Sequence, residues 1–242
     1  MPSLEVALNG ARSLTEHPGI PRSPEQLADE ARSSVDAGAH VVHIHAFDEN
    51  GRESLAPVPC SAAIRAVRAA CPGVPISLTT SAVIESDPKR RFELIAAWTE
   101  LPELVTANQG EPGILELCRH LSDRGVGIEA GLLGLADAQA FVRAGITDLF
   151  VRVLVEPLNA DPSDAVAHAT AIEEALDRAE ISLEQIHHGD GPASWAVSAR
   201  ALARGHGMRT GLEDTTVLPD GARAPNNAAL VRAAAAMIAS IQ

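Results

Sequence analysis

Lysine is almost absent from this chain, since Lys89 is the single lysine in 242 residues. Lys89 lies in the polar stretch SDPKRR, where we expect its ammonium group to be solvated. A Schiff-base aldolase needs a desolvated lysine that attacks a carbonyl as a neutral amine. The sequence therefore argues against that mechanism. Arginine carries nearly all the positive charge, and arginine clamps carboxylates and phosphates but does not act as a base.

Cysteine is also scarce, and long apolar runs are missing. The three cysteines, Cys60, Cys71 and Cys118, have no CxxC spacing, so we expect reduced cytoplasmic thiols and not a disulfide framework or a zinc knot. No apolar run reaches the roughly 18 residues of a membrane span. The first residues lack the basic and then apolar pattern of a secretion signal. We therefore expect a cytoplasmic protein without a membrane partner.

Acidic residues outnumber basic ones, because the chain has 32 Asp and Glu but only 19 Lys and Arg. Its net charge is -13. This balance argues against non-specific binding to nucleic acid and against docking on an anionic membrane. An anionic substrate would need local positive charge. Apolar residues make up 46% of the chain, which is ample for a core, and the length predicts a single domain over residues 1–242.

Short apolar runs rich in β-branched residues alternate with alanine-rich amphipathic stretches, which is typical of βα units and a parallel sheet. We expect strands at residues 4–9, 40–46, 75–81, 104–108, 126–132, 148–156, 185–189 and 208–213. We expect helices at residues 23–37, 61–70, 88–99, 112–124, 162–179, 192–203 and 226–241, and one more that ends at 144. Strict alternation over this length favours an α/β protein with a (β/α)8 TIM barrel over a doubly wound open sheet.

The stretch HVVHIHAFDENG contains a candidate metal site. His43 and His45 are two residues apart, so on a strand they point to the same side. In MRTGLED, Arg209 and Glu213 share parity and would point into the barrel, where the C-terminal strand ends carry the chemistry. Two histidines and Glu213 form a set of three ligands with an open fourth position, as in catalytic zinc sites.

Simpler interpretations of these residues remain open. The histidines fit equally well as buried core residues with satisfied hydrogen bonds, and Glu213 as an ion-pair partner of Arg209 in the barrel floor. Thr106 and Asn108 share a face at the end of the fourth strand. Of the adjacent pair His187–His188, at most one side chain faces the site.

HVVHIHAFDENG and MRTGLED together resemble the β-keto acid cleavage enzyme family, whose founding activity is 3-keto-5-aminohexanoate cleavage. The likeness covers nearly the whole chain, through an opening GA loop with a later SPEQ, a TT pair on the third strand, and RTGLEDTTVLPDGARAPNNAALV. The resemblance implies a zinc-dependent (β/α)8 acyltransferase. Such an enzyme condenses a β-keto acid with acetyl-CoA in a Claisen-type reaction and then cleaves a carbon–carbon bond, which gives acetoacetate and a new acyl-CoA.

The resemblance also implies roles for individual residues. His43, His45 and Glu213 would bind Zn2+ or another divalent metal, Asp214 would be the catalytic base, and Arg209 the essential cation. The other residues expected at the site are Thr79 or Thr80 as the hydroxyl of the third strand, Thr106 and Asn108 beside the substrate, and Glu129 in support of the base. We expect a homo-oligomer, either a dimer or a tetramer, with acetyl-CoA and a small β-keto acid as its ligands.

Two positions depart from the family pattern, and we expect both to contact substrate. Phe47 stands where an arginine usually precedes the aspartate of the second strand. Arg12 stands in GARS at the position that is acidic in the founding member, where it holds the substrate's ammonium group. An arginine does not favour a cation there. We therefore predict a substrate with an anionic or strongly polar distal group, such as a keto diacid.

Two other functions remain alternatives. A metal-dependent hydrolase of the amidohydrolase type is also a barrel with an HxH pair, but that pattern places the pair on the first strand and adds histidines on the fifth and sixth. Here the pair lies on the second expected strand, and the fifth and sixth lack histidine. The other alternative is a barrel that binds a metabolite or a metal without turnover.

Overall fold

The computed structural model describes residues 2–241, in which eight parallel strands close into a barrel in the order β1 to β8. The strands are β1 Leu4–Ala7, β2 Val41–Ile44, β3 Ile76–Thr79, β4 Leu104–Asn108, β5 Gly127–Leu132, β6 Arg152–Val155, β7 Glu184–His187 and β8 Gly207–Thr210. The helices are α1 Pro24–Asp36, α2 Pro57–Ala70, α3 Pro88–Ala96, α4 Ile114–Asp123, α5 Leu135–Ala144, α6 Pro162–Arg178, α7 Ser194–Ala203 and α8 Asn227–Ala239. The predicted (β/α)8 barrel is confirmed.

Local sequence signals fix where several helices begin. Ser23 caps α1 in a capping box with Gln26, and a proline occupies the first turn. The Asp161 side chain accepts from the backbone amides of Ser163 and Asp164 at the start of α6. Capped starts hold the preceding loops, and these loops lie on the face of the barrel where the strands end.

Several of the expected boundaries are wrong. α2 begins at Pro57 and not at residue 61, because proline is well suited to the first helical position. β6 begins at Arg152 and not at residue 148, because Thr147–Leu149 form a short 3-10 turn first.

β8 ends three residues earlier than expected, at Thr210. A Cβ atom on Gly211 would lie 2.6 Å from the carbonyl carbon of Ala7, so only glycine allows this close approach to β1. The chain turns immediately afterwards, because the amides of Asp214 and Thr215 both donate to the Gly211 carbonyl. The turn brings Glu213 and Asp214 to the barrel mouth together, although they have opposite parity.

The outward faces of the strands form the main apolar core with the helices. Val6, Ile44, Leu78, Ile128 and Val153 are fully buried there. Complete burial of one such side chain contributes about 1.5–3 kcal/mol. This layer holds the barrel closed while its interior carries polar groups.

The interior floor of the barrel is ionic. Arg152 forms ion pairs with both Glu5 and Glu129, and its Nε atom lies 2.7 Å from Glu129 Oε1. Burial, together with the charge of Glu129, raises the pKa of Glu5 to about 8. Glu5 and Glu129 thus share one guanidinium group, and burial beside Glu129 disfavours the charged form of Glu5.

The residues that are scarce in the sequence take unremarkable positions. Lys89 is exposed in the first turn of α3. Cys60, Cys71 and Cys118 are buried free thiols. Within residues 2–241, no helix combines the length and the apolar character that a membrane crossing requires.

Candidate metal centre and active site

His43 and His45 lie at the C-terminal end of β2 and point into the barrel. Asn9 fixes this end of the strand, because its Nδ2 donates to the His45 carbonyl and its Oδ1 accepts from the His45 amide, each at 2.9 Å. The side chain of Asn9 is fully buried. The loop after β1 therefore holds the backbone that carries both imidazoles.

Each imidazole uses its Nδ1 atom for a contact inside the protein. His43 Nδ1 lies 3.0 Å from Ser77 Oγ, and His45 Nδ1 forms a short hydrogen bond with Glu53. Both Nε2 atoms therefore turn towards Glu213, at 3.8 Å for His43 and 3.6 Å for His45. Outer contacts of this kind fix the orientation of a metal-binding histidine.

The donor atoms of His43, His45 and Glu213 fit a divalent metal ion. All three lie within 4.8 Å of one another. The Nε2 to carboxylate distances are too long for hydrogen bonds, but they match ligands that share an ion at about 2.0–2.2 Å. In addition, Glu213 Oε2 is buried without a hydrogen-bond partner. A buried carboxylate oxygen of this kind is costly unless a cation meets it.

The electrostatics of the two histidines differ. Burial lowers the pKa of His43 to about 3, so its ring is neutral and keeps a lone pair for a metal. Burial acts in the same direction on His45, but Glu213 and Glu53 outweigh it and raise the pKa to about 9. The carboxylates around His45 thus favour a positive charge, which either a proton or a metal ion supplies.

Arg209 and Asp214 form the second half of the site. Arg209 NH2 lies 2.7 Å from Asp214 Oδ1 and 3.0 Å from Glu213 Oε1. Glu213 Oε1 therefore lies near both Arg209 and His45, whereas Oε2 faces His43, so the ion pair with Arg209 and the approach to the histidines occur together. Burial raises the pKa of Asp214, but the charges of Arg209 and His188 outweigh it and hold the net pKa below the usual range. Asp214 is therefore ionised and able to accept a proton.

Both halves line one cavity of about 390 Å³ at the barrel mouth. Acidic, basic and apolar side chains all contribute to its walls, namely Arg12, His45, Glu53, Val83, Ile84, Glu156, Pro157, Leu158, His188, Asp190, Arg209, Glu213 and Asp214. Arg12 faces this cavity, but its NH2 lies 2.7 Å from Asp190 Oδ1 and its Nε donates to the Glu213 carbonyl. Its charge is therefore already paired.

The predicted hydroxyl and carboxylate residues lie deeper in the barrel. Thr79 has the same parity as Ser77 and faces the interior, whereas the Thr80 hydroxyl donates to the Thr106 carbonyl. Thr106 Oγ1 lies 3.4 Å from His43 Nδ1. Glu129 accepts from Ser77 and pairs with Arg152, so it contacts the partner of His43 and not Asp214.

Phe47 and Asn108, which we expected beside the substrate, are not among the residues that line the cavity. The Arg22 guanidinium group covers the ring of Phe47 at 4.5 Å from the ring centroid. Asn108 Nδ2 donates to Glu111 Oε1 at 3.1 Å. Both side chains are held by neighbours outside the cavity wall.

Sequence reasoning missed the roles of Glu53 and Ser77. The signal for Glu53 is the DENG turn, after which Phe47 and Glu53 form an antiparallel bridge that returns the chain towards His45. The signal for Ser77 is its parity with Thr79 on β3.

A second histidine cluster lies outside the barrel, between α6, β7 and the segment that joins α7 to β8. His187 stacks on His206 with ring centroids 4.8 Å apart, and Glu173 comes close to both. Arg200 and Arg204 already pair with the Glu173 carboxylate. The charge of Glu173 is therefore met by guanidinium groups, and this cluster links structural elements.

A barrel mouth with two histidines and a glutamate beside an ionised Asp–Arg pair defines a (β/α)8 site that can hold a divalent metal ion next to a proton acceptor. The family model of the beta-keto acid cleavage enzyme matches residues 3–242, so the chain belongs to that family. The chain is therefore an enzyme that cleaves β-keto acids and transfers acyl groups, as the sequence predicted.

Two curated relatives match most of the chain. It is 27% identical to a 3-keto-5-aminohexanoate cleavage enzyme of Fusobacterium nucleatum, over 94% of this chain and 88% of the relative. It is 23% identical to a 3-oxoadipate:acetyl-CoA acetyltransferase of Cupriavidus necator, over 97% of this chain and 87% of the relative.

Solved structures show the same fold. A ternary complex of ObcA with a C4-CoA adduct and oxalate superimposes with a TM-score of 0.75 at 18% identity, over 92% of this chain and 64% of that one. The chain therefore spans less than two thirds of ObcA. The 3-dehydroquinate dehydratase of Aquifex aeolicus superimposes with a TM-score of 0.60 at 12% identity, over 97% of this chain and 96% of that one.

Proposed function

We propose that this protein is a zinc-dependent β-keto acid cleavage enzyme with acetyl-CoA as its second substrate, which releases acetoacetate and a new acyl-CoA. The observation that carries the proposal is that His43, His45 and Glu213 lie beside the Arg209–Asp214 pair at one barrel mouth. The names of two proteins support acetyl-CoA, since one relative is an acetyl-CoA acetyltransferase and the ObcA complex holds a CoA adduct.

His43, His45 and Glu213 would hold the metal ion through Nε2, Nε2 and the carboxylate. When bound there, such an ion would supply Lewis acidity, which would polarise the keto group of the substrate and make its C2 hydrogens more acidic. Glu53 and Ser77 keep the Nε2 atoms of the two imidazoles turned towards Glu213, where the ion would bind. The neutral ring of His43 and the negative charge of Glu213 suit a divalent cation.

Asp214 would accept the proton from C2 of the β-keto acid. Arg209 keeps Asp214 ionised, which also makes it a weak base, so proton transfer depends on the acidified C–H bond. C2 then forms a bond to the thioester carbonyl of acetyl-CoA, and the thiolate of coenzyme A leaves. The thiolate adds to the original keto carbon, the C2–C3 bond of the first substrate breaks, and Asp214 returns the proton to C2. The products are acetoacetate and the new acyl-CoA, so atoms balance.

Arg12 would contact the distal group of the keto acid. Its side chain is 21% exposed at the cavity, and its ion-pair partner Asp190 is 50% exposed. An anionic or strongly polar distal group would therefore replace Asp190 as the partner of Arg12. Val83 and Leu158 stand on the same rim as exposed apolar side chains, so an alkyl distal group is the competing possibility.

The test is a panel of keto diacids, amino keto acids and alkyl β-keto acids, each with and without acetyl-CoA. Mass spectrometry would follow acetoacetate and the acyl-CoA product. We expect acetyl-CoA-dependent turnover by the wild type, bound zinc by elemental analysis, and loss of both in His45→Ala. His168→Ala is the matched control, because His168 is exposed on α6.

Two outcomes would contradict the proposal. Release of hydrolysis products without acetyl-CoA would favour the amidohydrolase alternative, and bound metal without turnover over the whole panel would favour a non-catalytic barrel. Light scattering on the same samples tests the further proposal that the chain forms a dimer or a tetramer.

A further inference from the structure

His188 lies between two carboxylates on the inner side of the barrel. It directly follows β7 and shares the inward parity of Ile186, whereas His187 points outward to Gln185. His188 Nδ1 lies 3.3 Å from Asp214 Oδ1, and its Nε2 lies 3.2 Å from Glu156 Oε2. The imidazole is buried, and it forms part of the cavity wall.

The Asp214 carboxylate has few groups to hold it. Among the polar side chains of residues 2–241, only Arg209 and His188 approach it within ion-pair distance. Arg209 is shared, because its NH2 also contacts Glu213 Oε1 at 3.0 Å. His188 is therefore the only partner of the Asp214 side chain that has no contact with the metal ligands.

Glu156 is the second carboxylate that His188 contacts. Its Oε1 atom is buried without a hydrogen-bond partner, and its other oxygen faces His188. Without the imidazole, Glu156 and Asp214 would lose the side chain that contacts both carboxylates. Repulsion between such buried groups is costly and moves one of them.

We propose that His188 is a positioning residue that holds Asp214 in the orientation for proton abstraction, through Nδ1, and separates it from Glu156. The inference rests on the proposed role of Asp214 as the base. A displacement of about 1 Å in a reacting group costs on the order of a hundredfold in rate. His188 therefore affects kcat and leaves KM nearly unchanged, because it does not hold the metal.

Two substitutions separate the functions of the two ring nitrogens. His188→Asn keeps a side-chain nitrogen at the place of Nδ1, next to Asp214, whereas His188→Gln keeps one at the place of Nε2, next to Glu156. We expect His188→Asn to keep kcat within about threefold of the wild type, and His188→Gln and His188→Ala to lose on the order of a hundredfold. His168→Asn on the exposed face of α6 is the control.

The direct readout is exchange of the C2 hydrogens of the keto acid in D2O without acetyl-CoA, corrected for the uncatalysed rate. We expect slow exchange in His188→Gln and normal exchange in His188→Asn, with equal zinc content and equal circular dichroism. Rescue by Gln and not by Asn would overturn the inference, since His188 would then act through Glu156. Equal exchange in all variants and the wild type would also overturn it, while the proposed function would stand. No exchange and no turnover by the wild type would overturn both.

Discussion

A Cβ atom on Gly10 would lie 2.8 Å from Cδ of Glu213, so the first loop of the barrel and the third proposed metal ligand compete for the same space. Gly10 also has a φ of +56°, a conformation that costs a residue with a Cβ about 1–2 kcal/mol. Glycine therefore meets two needs at this position. It turns the chain after β1, and it leaves room for the carboxylate.

Gly10→Ala is expected to displace Glu213 and weaken metal binding. Gly73→Ala is the matched control, because Gly73 also has a positive φ, of +83°, but no atom within 4 Å of its Cβ position. Both variants should lose stability through backbone strain, Gly10→Ala more because of its clash with Glu213, and only Gly10→Ala should lose zinc. Competition with a chelator measures the affinity, and equal zinc affinity in the two variants would contradict this prediction.

Removal of Glu53 should weaken the metal site through His45. The hydrogen bond to Glu53 keeps His45 Nε2 turned towards Glu213. Loss of such an outer contact typically lowers metal affinity by about 10–100-fold. We expect that loss in Glu53→Ala and a smaller one in Glu53→Gln, which retains an acceptor oxygen. Titration with zinc by calorimetry measures both, and unchanged affinity in Glu53→Ala would show that the cavity alone orients His45.

Asp190→Asn should change substrate preference if Arg12 faces the distal group. The ion pair of Arg12 with Asp190 competes with any anionic substrate group. Its loss leaves Glu16 as the remaining carboxylate partner of Arg12, so kcat/KM should rise for keto diacids relative to alkyl β-keto acids, on the order of tenfold for about 1.4 kcal/mol. Arg12→Glu should shift the ratio in the opposite direction. An unchanged ratio in both variants would exclude Arg12 from substrate selection.

Glu173, on the outer face of the barrel, should make the free energy of unfolding depend on pH. Burial opposes its charge, but Arg204, His206 and Arg200 outweigh this and lower its pKa to about 2 from 4.5. A lowered pKa stabilises the fold above about pH 4.5, and this contribution is lost as pH falls towards 2. Its full size is on the order of 3 kcal/mol. In urea unfolding, the advantage of the wild type over Glu173→Gln should therefore shrink between pH 5 and 3, and a constant difference would contradict the prediction.

Strand parity and strand order made much of the fold and part of the site accessible from the sequence. Parity places His43 and His45 on one side of β2, and closure of the barrel places β8 next to β1 and one strand further from β2. These two rules bring the end of β8 close to the histidines, and the turn after Gly211 then places Glu213 beside them. The roles of these residues in catalysis remain proposals.

The rest of the site depends on loop conformations and on strand register. Neither of these leaves a periodic pattern in the sequence. Arg12 and Asp190 are 178 residues apart and meet only because two loops converge at the mouth. Thr79 and Thr80 are chemically alike, and only the register of β3 decides which one faces inward. The position of Glu53 depends on a hairpin turn after β2. The sequence predicts the turn but not the direction in which the chain returns.

The ionic floor of the barrel has a consequence for protein engineering. From Glu5 and Arg152, polar contacts continue through Glu129 and Ser77 to the Nδ1 atom of His43. An engineer who chooses substitution sites by their distance from the cavity would regard Glu5 and Arg152 as safe. Those two positions are linked through Glu129 and Ser77 to a proposed metal ligand, so we expect substitutions there to disturb the site despite their depth below the barrel mouth.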